Sequence, residues 1–292
     1  MIHGTNSNNS HSKHLINAIC YGHPKGLSRF CVSSFTFLKV LLAITVLLEI
    51  ASCGAKEQNK TRAPNILLIL TDDLGFNDLG INNNNKEVHT PNMDRVAQQG
   101  IRFTRHYTSS VCSPSRGALL SGQYPARNGY RPNSRGLSPD VTTLADLLKS
   151  HGYYTHHIGK WHMGDTVEQA QPHHQGFDSW FGFLNQWRLR GRQKDDEIIL
   201  GNPTYQNPWL ESSSGPGKRF KGNLTDILTE HTLQKLRELA DIRQPWFVNL
   251  WYYAPHEPIQ PPEGYMRRYP NTPKGKYHAL LHQLDDSIGE IL

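Results

Sequence analysis

Residues 64–292 alternate between two kinds of apolar pattern. In the first, apolar residues run without interruption. Ile66–Leu70 is five aliphatic residues in a row, closed by Thr71–Asp72–Asp73–Leu74–Gly75, and Pro245–Tyr253 is a second such run. Unbroken runs of this length predict strands buried on both faces, as in a parallel sheet. Tyr153–Ile158 and Ile101–Tyr107 read as further strands. In the second pattern apolar positions recur at helical spacing between start and stop signals. Thr90–Pro91 opens one helix through Met93, Val96 and Ala97 to Gly100. Ser113–Pro114 opens another, with a hydroxyl cap, a proline at the first position, Leu119 and Leu120 on its buried side and Gly122 to close it. Thr143 and Asp146 make a reciprocal cap before Leu144, Leu147 and Leu148, with Gly152 ending the helix. Thr225 or Asp226 caps a helix carrying Ile227, Leu228, Leu233, Leu236 and Leu239. Tyr277–Leu292 repeats the pattern with Leu280, Leu281, Leu284, Ile288 and Ile291. Strands alternating with helices predict an α/β fold with a mostly parallel central sheet flanked by helices. Phe177–Phe183, Arg188–Asp196 and Gly201–Gly217 read together as a long excursion over the sheet, lining the substrate entrance.

The N-terminal segment has neither pattern. Residues 1–34 are polar, and the run Val40–Leu48 behind Lys39 is shorter than the roughly 20 residues of a membrane span. Its length suits the apolar core of a signal peptide. It ends in Ile50–Ala51–Ser52–Cys53, which resembles a bacterial lipoprotein cleavage box whose cysteine is lipidated. The expected organisation is a leader over 1–52, a polar tether over 53–63 and a folded part over 64–292. The expected destination is the periplasm or the cell surface, with a lipid anchor at Cys53 as the membrane connection. A short membrane anchor or an ordinary signal peptide is the plainer reading of the same run.

Composition narrows the class. With 37% hydrophobic residues, 24 glycines and 18 prolines in 292 residues, the chain is globular and loop-rich rather than disordered or collagenous. The net charge of +6 is shared equally between residues 1–52 and the remainder, which is no nucleic-acid footprint. Of four cysteines, Cys20 and Cys31 lie in the leader and Cys53 at its end. Cys112 stands alone in the folded part, placed for chemistry rather than for a disulfide.

Candidate chemistry falls at predicted strand and helix ends. Asp72 and Asp73 follow the first strand, where ligands bind in open α/β sheets. As adjacent carboxylates they need a cation or donors to hold them, although a solvated turn is the bland alternative. Cys112 lies at the electropositive start of a helix, with Arg116 one turn on. Lys160 and His162, two apart in Gly159–Lys160–Trp161–His162–Met163–Gly164, point the same way in an extended segment and suit a tetrahedral oxyanion. His256 follows the Pro245–Tyr253 strand in Ala254–Pro255–His256–Glu257–Pro258, with a pKa range fit for proton transfer. His156, His157, His173 and His174 lack zinc-site spacing and are read as surface or loop residues.

The wording C-S-P-S-R-x-x-x-L-x-G over Cys112–Gly122 resembles the sulfatase family of the alkaline-phosphatase-like superfamily. The D-D pair, G-K-W-H-x-G and A-P-H-x-P resemble its other motifs, in the family's order. The resemblance implies that Cys112 is oxidised to formylglycine by a dedicated maturase, and that the hydrated aldehyde attacks the sulfur of a sulfate ester. Asp72, Asp73 and residue 112 would bind a divalent metal, usually calcium. Arg116 would polarise residue 112, Lys160 and His162 would face the sulfate, and His256 would protonate the leaving oxygen. It also implies a D-N-G strand, a further lysine and a small C-terminal domain that this sequence does not contain, so an inactive partial product is one alternative. A formylglycine-dependent phosphonate or phosphate ester hydrolase, which shares the C-x-P-S-R core, is the other. The implied substrate is a sulfate ester, a sulfated glycan if the protein is a surface lipoprotein.

Overall fold

The computed structural model describes residues 62–82, 87, 89–130, 136–165, 167–185, 191–192, 198–199 and 204–292. The leader, Cys20, Cys31, Cys53 and nearly all of the tether lie outside the described residues, as do parts of the expected excursion (186–190, 193–197 and 200–203). The strands are β1 (Ile66–Asp72), β2 (Tyr154–Lys160), β3 (Ser179–Phe183), β4 (Gly191–Arg192), β5 (Ile198–Ile199), β6 (Trp209–Ser212), β7 (Gly215–Arg219) and β8 (Trp246–Pro255). The helices are α1 (Pro91–Gln99), α2 (Cys112–Ser121), α3 (Pro125–Asn128), α4 (Leu144–Ser150), α5 (Leu224–Ala240), α6 (Glu263–Met266) and α7 (Pro273–Ile291). Among the described residues the main sheet has the order β1-β8-β2-β3-β6-β7, and β4 with β5 forms a separate two-stranded ribbon.

The first four strands of that order are parallel, so β1, β8, β2 and β3 all end at one edge. β6 and β7 continue the sheet antiparallel. Where it is described, the expected excursion is therefore mostly sheet: Ser179–Phe183 is an inner strand and 209–219 a hairpin. Gly182 sits across from Glu211, where an added Cβ would strike the Gly159 backbone.

β8 shows why the apolar run is unbroken. Val248, Leu250 and Tyr252 face one core with Leu228 of α5 and Leu280 and Leu284 of α7. Phe247 and Trp251 face a second core with Leu120 of α2 and Ala145 of α4. Each fully buried aliphatic side chain contributes about 1.5–3 kcal/mol. β1 touches both cores as well, yet six of its seven residues are only half-buried. It is an edge strand of the sheet among the described residues, which corrects the expectation of full burial.

The helix signals fare unevenly. Thr143 and Asp146 form the expected capping box, and Gly122 closes α2 in the left-handed conformation at φ 65°. Leu147, however, is 50% exposed, and Ala145 takes the buried position on α4. Asn223, not Thr225 or Asp226, caps α5, its side chain accepting from the Thr225 N–H. Ile101–Tyr107 is not a strand. No described segment pairs with it, so its alternating apolar side chains, Phe103 and Tyr107 among them, stay exposed; backbone groups without a ladder partner turn to solvent instead.

Candidate active site

Three parallel strands deliver Asp72, Lys160 and His256 to the shared carboxyl edge, and α2 presents Cys112 and Arg116 there. Asp72 is 2% exposed. Its Oδ2 accepts from Lys160 Nζ at 2.5 Å, and its Oδ1 lies 3.0 Å from Arg116 Nη2. The second contact is an ion pair without hydrogen-bond alignment. Arg116 also donates through Nη1 to the Lys160 carbonyl at 3.0 Å. Burial raises the Asp72 carboxyl, but Arg116 and Lys160 together outweigh it and hold its pKa below the ordinary value. Burial lowers Lys160, and Asp72 opposes that only in part. Two aromatic rings back these cations: the guanidinium lies 4.8 Å from the centre of Trp251, and the ammonium 5.3 Å from that of Tyr253. Sequence reasoning missed both rings, which are hidden inside the apolar run of β8.

Cys112 is the first residue of α2, and Val111 is the cap. Ser113, expected to cap, is buried and turns elsewhere: its hydroxyl donates to the His162 carbonyl at 2.8 Å and contacts the Tyr130 hydroxyl. Tyr130 donates to the same carbonyl at 3.3 Å. The Cys112 thiol is half-buried, with Sγ 3.2 Å from His162 Nδ1 and 3.9 Å from Lys160 Nζ. Lys160 and His162 thus converge as expected, but not by strand alternation. His162 has φ 57°, and this left-handed turn after β2 aims its ring at the thiol.

Asp73 also has positive φ, at 65°, and its side chain is 59% exposed. Its Oδ2 lies 3.6 Å from His256 Nε2. His256 uses Nδ1 on the Glu257 carbonyl at 2.7 Å and stacks on Tyr253. With Nδ1 as the donor to that carbonyl, Nε2 is left facing the site.

In kind, the Asp72 and Asp73 oxygens fit a hard divalent cation, whose shell takes six to eight oxygens. In the arrangement seen, Asp72 is turned to Arg116 and Lys160. Asp72, Asp73 and Cys112 do not form a three-residue ligand group; among the described residues the one such group is the exposed Glu168, His173 and His174. His156 and His157, expected at the surface or in a loop, are buried in β2. His157 meets Asn249 Nδ2 at 3.0 Å among the rings of Trp161, Phe177 and Trp251. Burial lowers its pKa to about 3, which keeps it neutral.

Fold and site together define an α/β protein whose sheet edge brings two buried cations and a carboxylate beside a half-buried cysteine. The Sulfatase family model matches residues 64–292, and the chain belongs to the sulfatase family. N-acetylgalactosamine-6-sulfatase of Homo sapiens is 32% identical over 258 residues, which is 82% of this chain and 48% of that protein. The crystal structure of Ps i-CgsB in complex with k-i-k-neocarrahexaose is 30% identical, with a TM-score of 0.69 over 78% of this chain and 54% of that one. A structure solved in complex with its substrate D-glucosamine-2-N,6-O-disulfate is 29% identical, with a TM-score of 0.57 over 70% of this chain and 37% of that one. The chain spans about half the length of the curated relatives it matches. The expected alkaline-phosphatase-like α/β architecture is the one these neighbours share.

Proposed function

We propose that the chain carries the nucleophile-bearing part of a sulfuric ester hydrolase acting on sulfated glycans. The observation that carries this is the convergence of Asp72, Cys112, Arg116, Lys160 and His162 at one sheet edge. The glucosamine disulfate named as the substrate of one structural neighbour, and the name N-acetylgalactosamine-6-sulfatase of the curated relative, support the glycan class. Sulfuryl transfer spreads negative charge over peripheral oxygens, and fixed buried cations stabilise that charge without reorganising.

In this reading residue 112 is converted by a maturase to formylglycine, whose hydrate, a geminal diol, would supply the nucleophilic hydroxyl. The contact of His162 Nδ1 with Cys112 Sγ sets the imidazole to hold or return the proton of whatever group residue 112 bears. Lys160 faces the sulfuryl oxygens, while Arg116 orients Asp72 and the end of β2 rather than reaching solvent. His256 turns Nε2 toward the leaving oxygen, its Nδ1–H being held by the Glu257 carbonyl, and a proton reaches that oxygen only when Nε2 carries one as well. Asp72 and Asp73 would hold a divalent cation, calcium in the family's usual form, as a Lewis acid. We also propose export through the 1–52 leader, with lipidation at Cys53 and residues 53–63 as tether, on the strength of the apolar run and the Ile50–Cys53 box. No helix among the described residues is long and apolar enough to cross a membrane.

Mass spectrometry of the peptide containing Cys112, from the protein produced with a maturase, tests the chemistry. The expected result is an aldehyde in place of the thiol, together with turnover of 4-methylumbelliferyl sulfate. An active enzyme with an intact thiol overturns the mechanism. Turnover of a phosphonate monoester but not of the sulfate replaces the substrate class.

A further inference from the structure

The loop that follows the Lys160–His162 segment carries two adjacent histidines that the proposed function leaves unused. It contains two single 3₁₀ turns, Glu168–Ala170 and Pro172–His174, joined at Gln171. The turns hold one another: Gln171 N–H donates to the Glu168 carbonyl at 2.9 Å, and His174 N–H to the Gln171 carbonyl at 3.0 Å. Their inner side is pinned to the core. Ala170 and Gln175 are buried, the Trp161 indole N–H donates to the Ala170 carbonyl at 2.8 Å, and Gln175 Nε2 donates to the Gln169 carbonyl at 3.1 Å. The backbone is thus fixed from within, while Glu168, His173 and His174 are exposed.

These three side chains gather without bonding one another. One ligand atom from each lies within 4.8 Å of the other two. His174 Nε2 and Glu168 Oε1 are 3.7 Å apart, too far for a hydrogen bond. The His173 and His174 rings lie 4.2 Å apart between centres, a packing that suits neutral imidazoles better than two like charges. Among the described residues no hydrogen bond occupies any of the three side chains. Two atoms bound to one tetrahedral zinc at about 2.0–2.1 Å lie roughly 3.3 Å from each other. The observed spacing is close to that, and exposed side chains close the remainder by changes of rotamer.

Donor chemistry selects the ion. Calcium and magnesium take oxygen ligands, whereas two imidazoles and one carboxylate suit a borderline transition ion, zinc above all, with water in the fourth position. Spacing along the sequence hid the group, because its members meet through two turns rather than along one helix.

We propose that Glu168, His173 and His174 form a zinc site, separate from the Asp72–Asp73 cation site, that clasps the two turns together. The clasp acts on the loop that leaves the active site: Trp161, which holds the Ala170 carbonyl, stands between Lys160 and His162 and stacks on Trp251 at 5.8 Å.

The test is zinc titration of the full chain carrying C112S, which removes a thiol that would itself bind zinc, by calorimetry and by competition with a chromophoric chelator. It needs no turnover and is independent of the proposed function. H173A, H174A and E168Q, added singly, are each expected to weaken one equivalent of zinc at least 10-fold, while D73N leaves that equivalent in place. Calcium should not compete for it. Cobalt in its place should give the visible absorption of a tetrahedral site, absent from the H173A/H174A protein. With zinc at a hundred times its Kd, the thermal midpoint should rise by about 5–10 °C, and by less in that double variant. Exposed positions such as these are unlike core sites in tolerating substitution, and E168Q keeps the size and shape of the side chain should a histidine variant fold poorly. No zinc binding, binding that E168Q and the histidine variants leave unchanged, or an equal rise in midpoint with and without the two histidines overturns the site. An equivalent lost in D73N but kept in the histidine variants overturns it as well.

Discussion

Two lysine–aspartate pairs in this protein have the same chemistry and nearly the same length. Lys160–Asp72 is 2.5 Å long with side chains 0% and 2% exposed; Lys149–Asp178 is 2.7 Å long with side chains 48% and 30% exposed. Distance does not separate them, but surroundings do. The exposed pair lies in water that screens it and competes for its hydrogen bonds. The buried pair has given up hydration and has a second cation, Arg116, on the same carboxylate. Such a cluster is weak evidence for added stability, because desolvation offsets attraction, yet removing one member strands the rest. Buried charge held in this way is suited to receiving an anion.

The largest effect is expected from breaking the buried pair. D72N leaves Arg116 and Lys160 facing a neutral amide and should cost about 3–5 kcal/mol in urea unfolding. K160M should lower sulfate-ester turnover by about 10²–10³-fold. A D72N midpoint equal to that of the parent would show that the cluster is hydrated in solution and erase the contrast.

The next effect uses pH. His157, three residues before Lys160 on β2, is a buried ionisable group with no acidic partner. Its folded pKa of about 3 lies below the ordinary 6.5. The unfolded chain therefore binds the extra proton first, and stability should fall as pH drops from about 6.5 toward 3. The slope per histidine is at most about 1.4 kcal/mol per pH unit. Asp72 has the opposite chemistry: its pKa is lowered, so the stability it contributes is present above pH 3.8 and is lost as pH falls further. H157Q, which can still accept from Asn249 but cannot titrate, should make the upper window shallower by one histidine's share, since buried His156 and His231 are lowered as well, and leave the lower one. Thermal melts across pH 3–7 that are parallel for the two proteins would refute the assignment.

The smallest effect belongs to the exposed pair. K149A should change stability by less than about 1 kcal/mol, with even that difference shrinking as salt is added, and should not alter turnover. A larger loss would mean that the two pairs differ less than their exposure implies.

The same distinction between local signal and surroundings decides what the sequence could reveal. β8 was legible because it is an inner parallel strand, and its residues are apolar on both faces for that reason. α7 and the Thr143–Asp146 cap were legible because helical spacing and capping are local. β1 reads like β8, but burial depends on what pairs with its outer edge, and no residue of β1 encodes that. Ile101–Tyr107 has a strand's alternation and no partner among the described residues. The site residues could be nominated from their motifs. The left-handed turn at His162, the cation-bearing faces of Trp251 and Tyr253, and the turning of Ser113 away from its cap all arise from contacts between distant segments.

Ser113 and Tyr130 give a final consequence. Both hydroxyls grip the carbonyl of His162, and Ser113 is the immediate neighbour of Cys112 on α2. Cys112 and the His162 imidazole beside it therefore share a single mechanical mount, although they are fifty residues apart in sequence. A displacement of α2 would pull on the His162 carbonyl through these two bonds, so the helix and the turn after β2 are coupled.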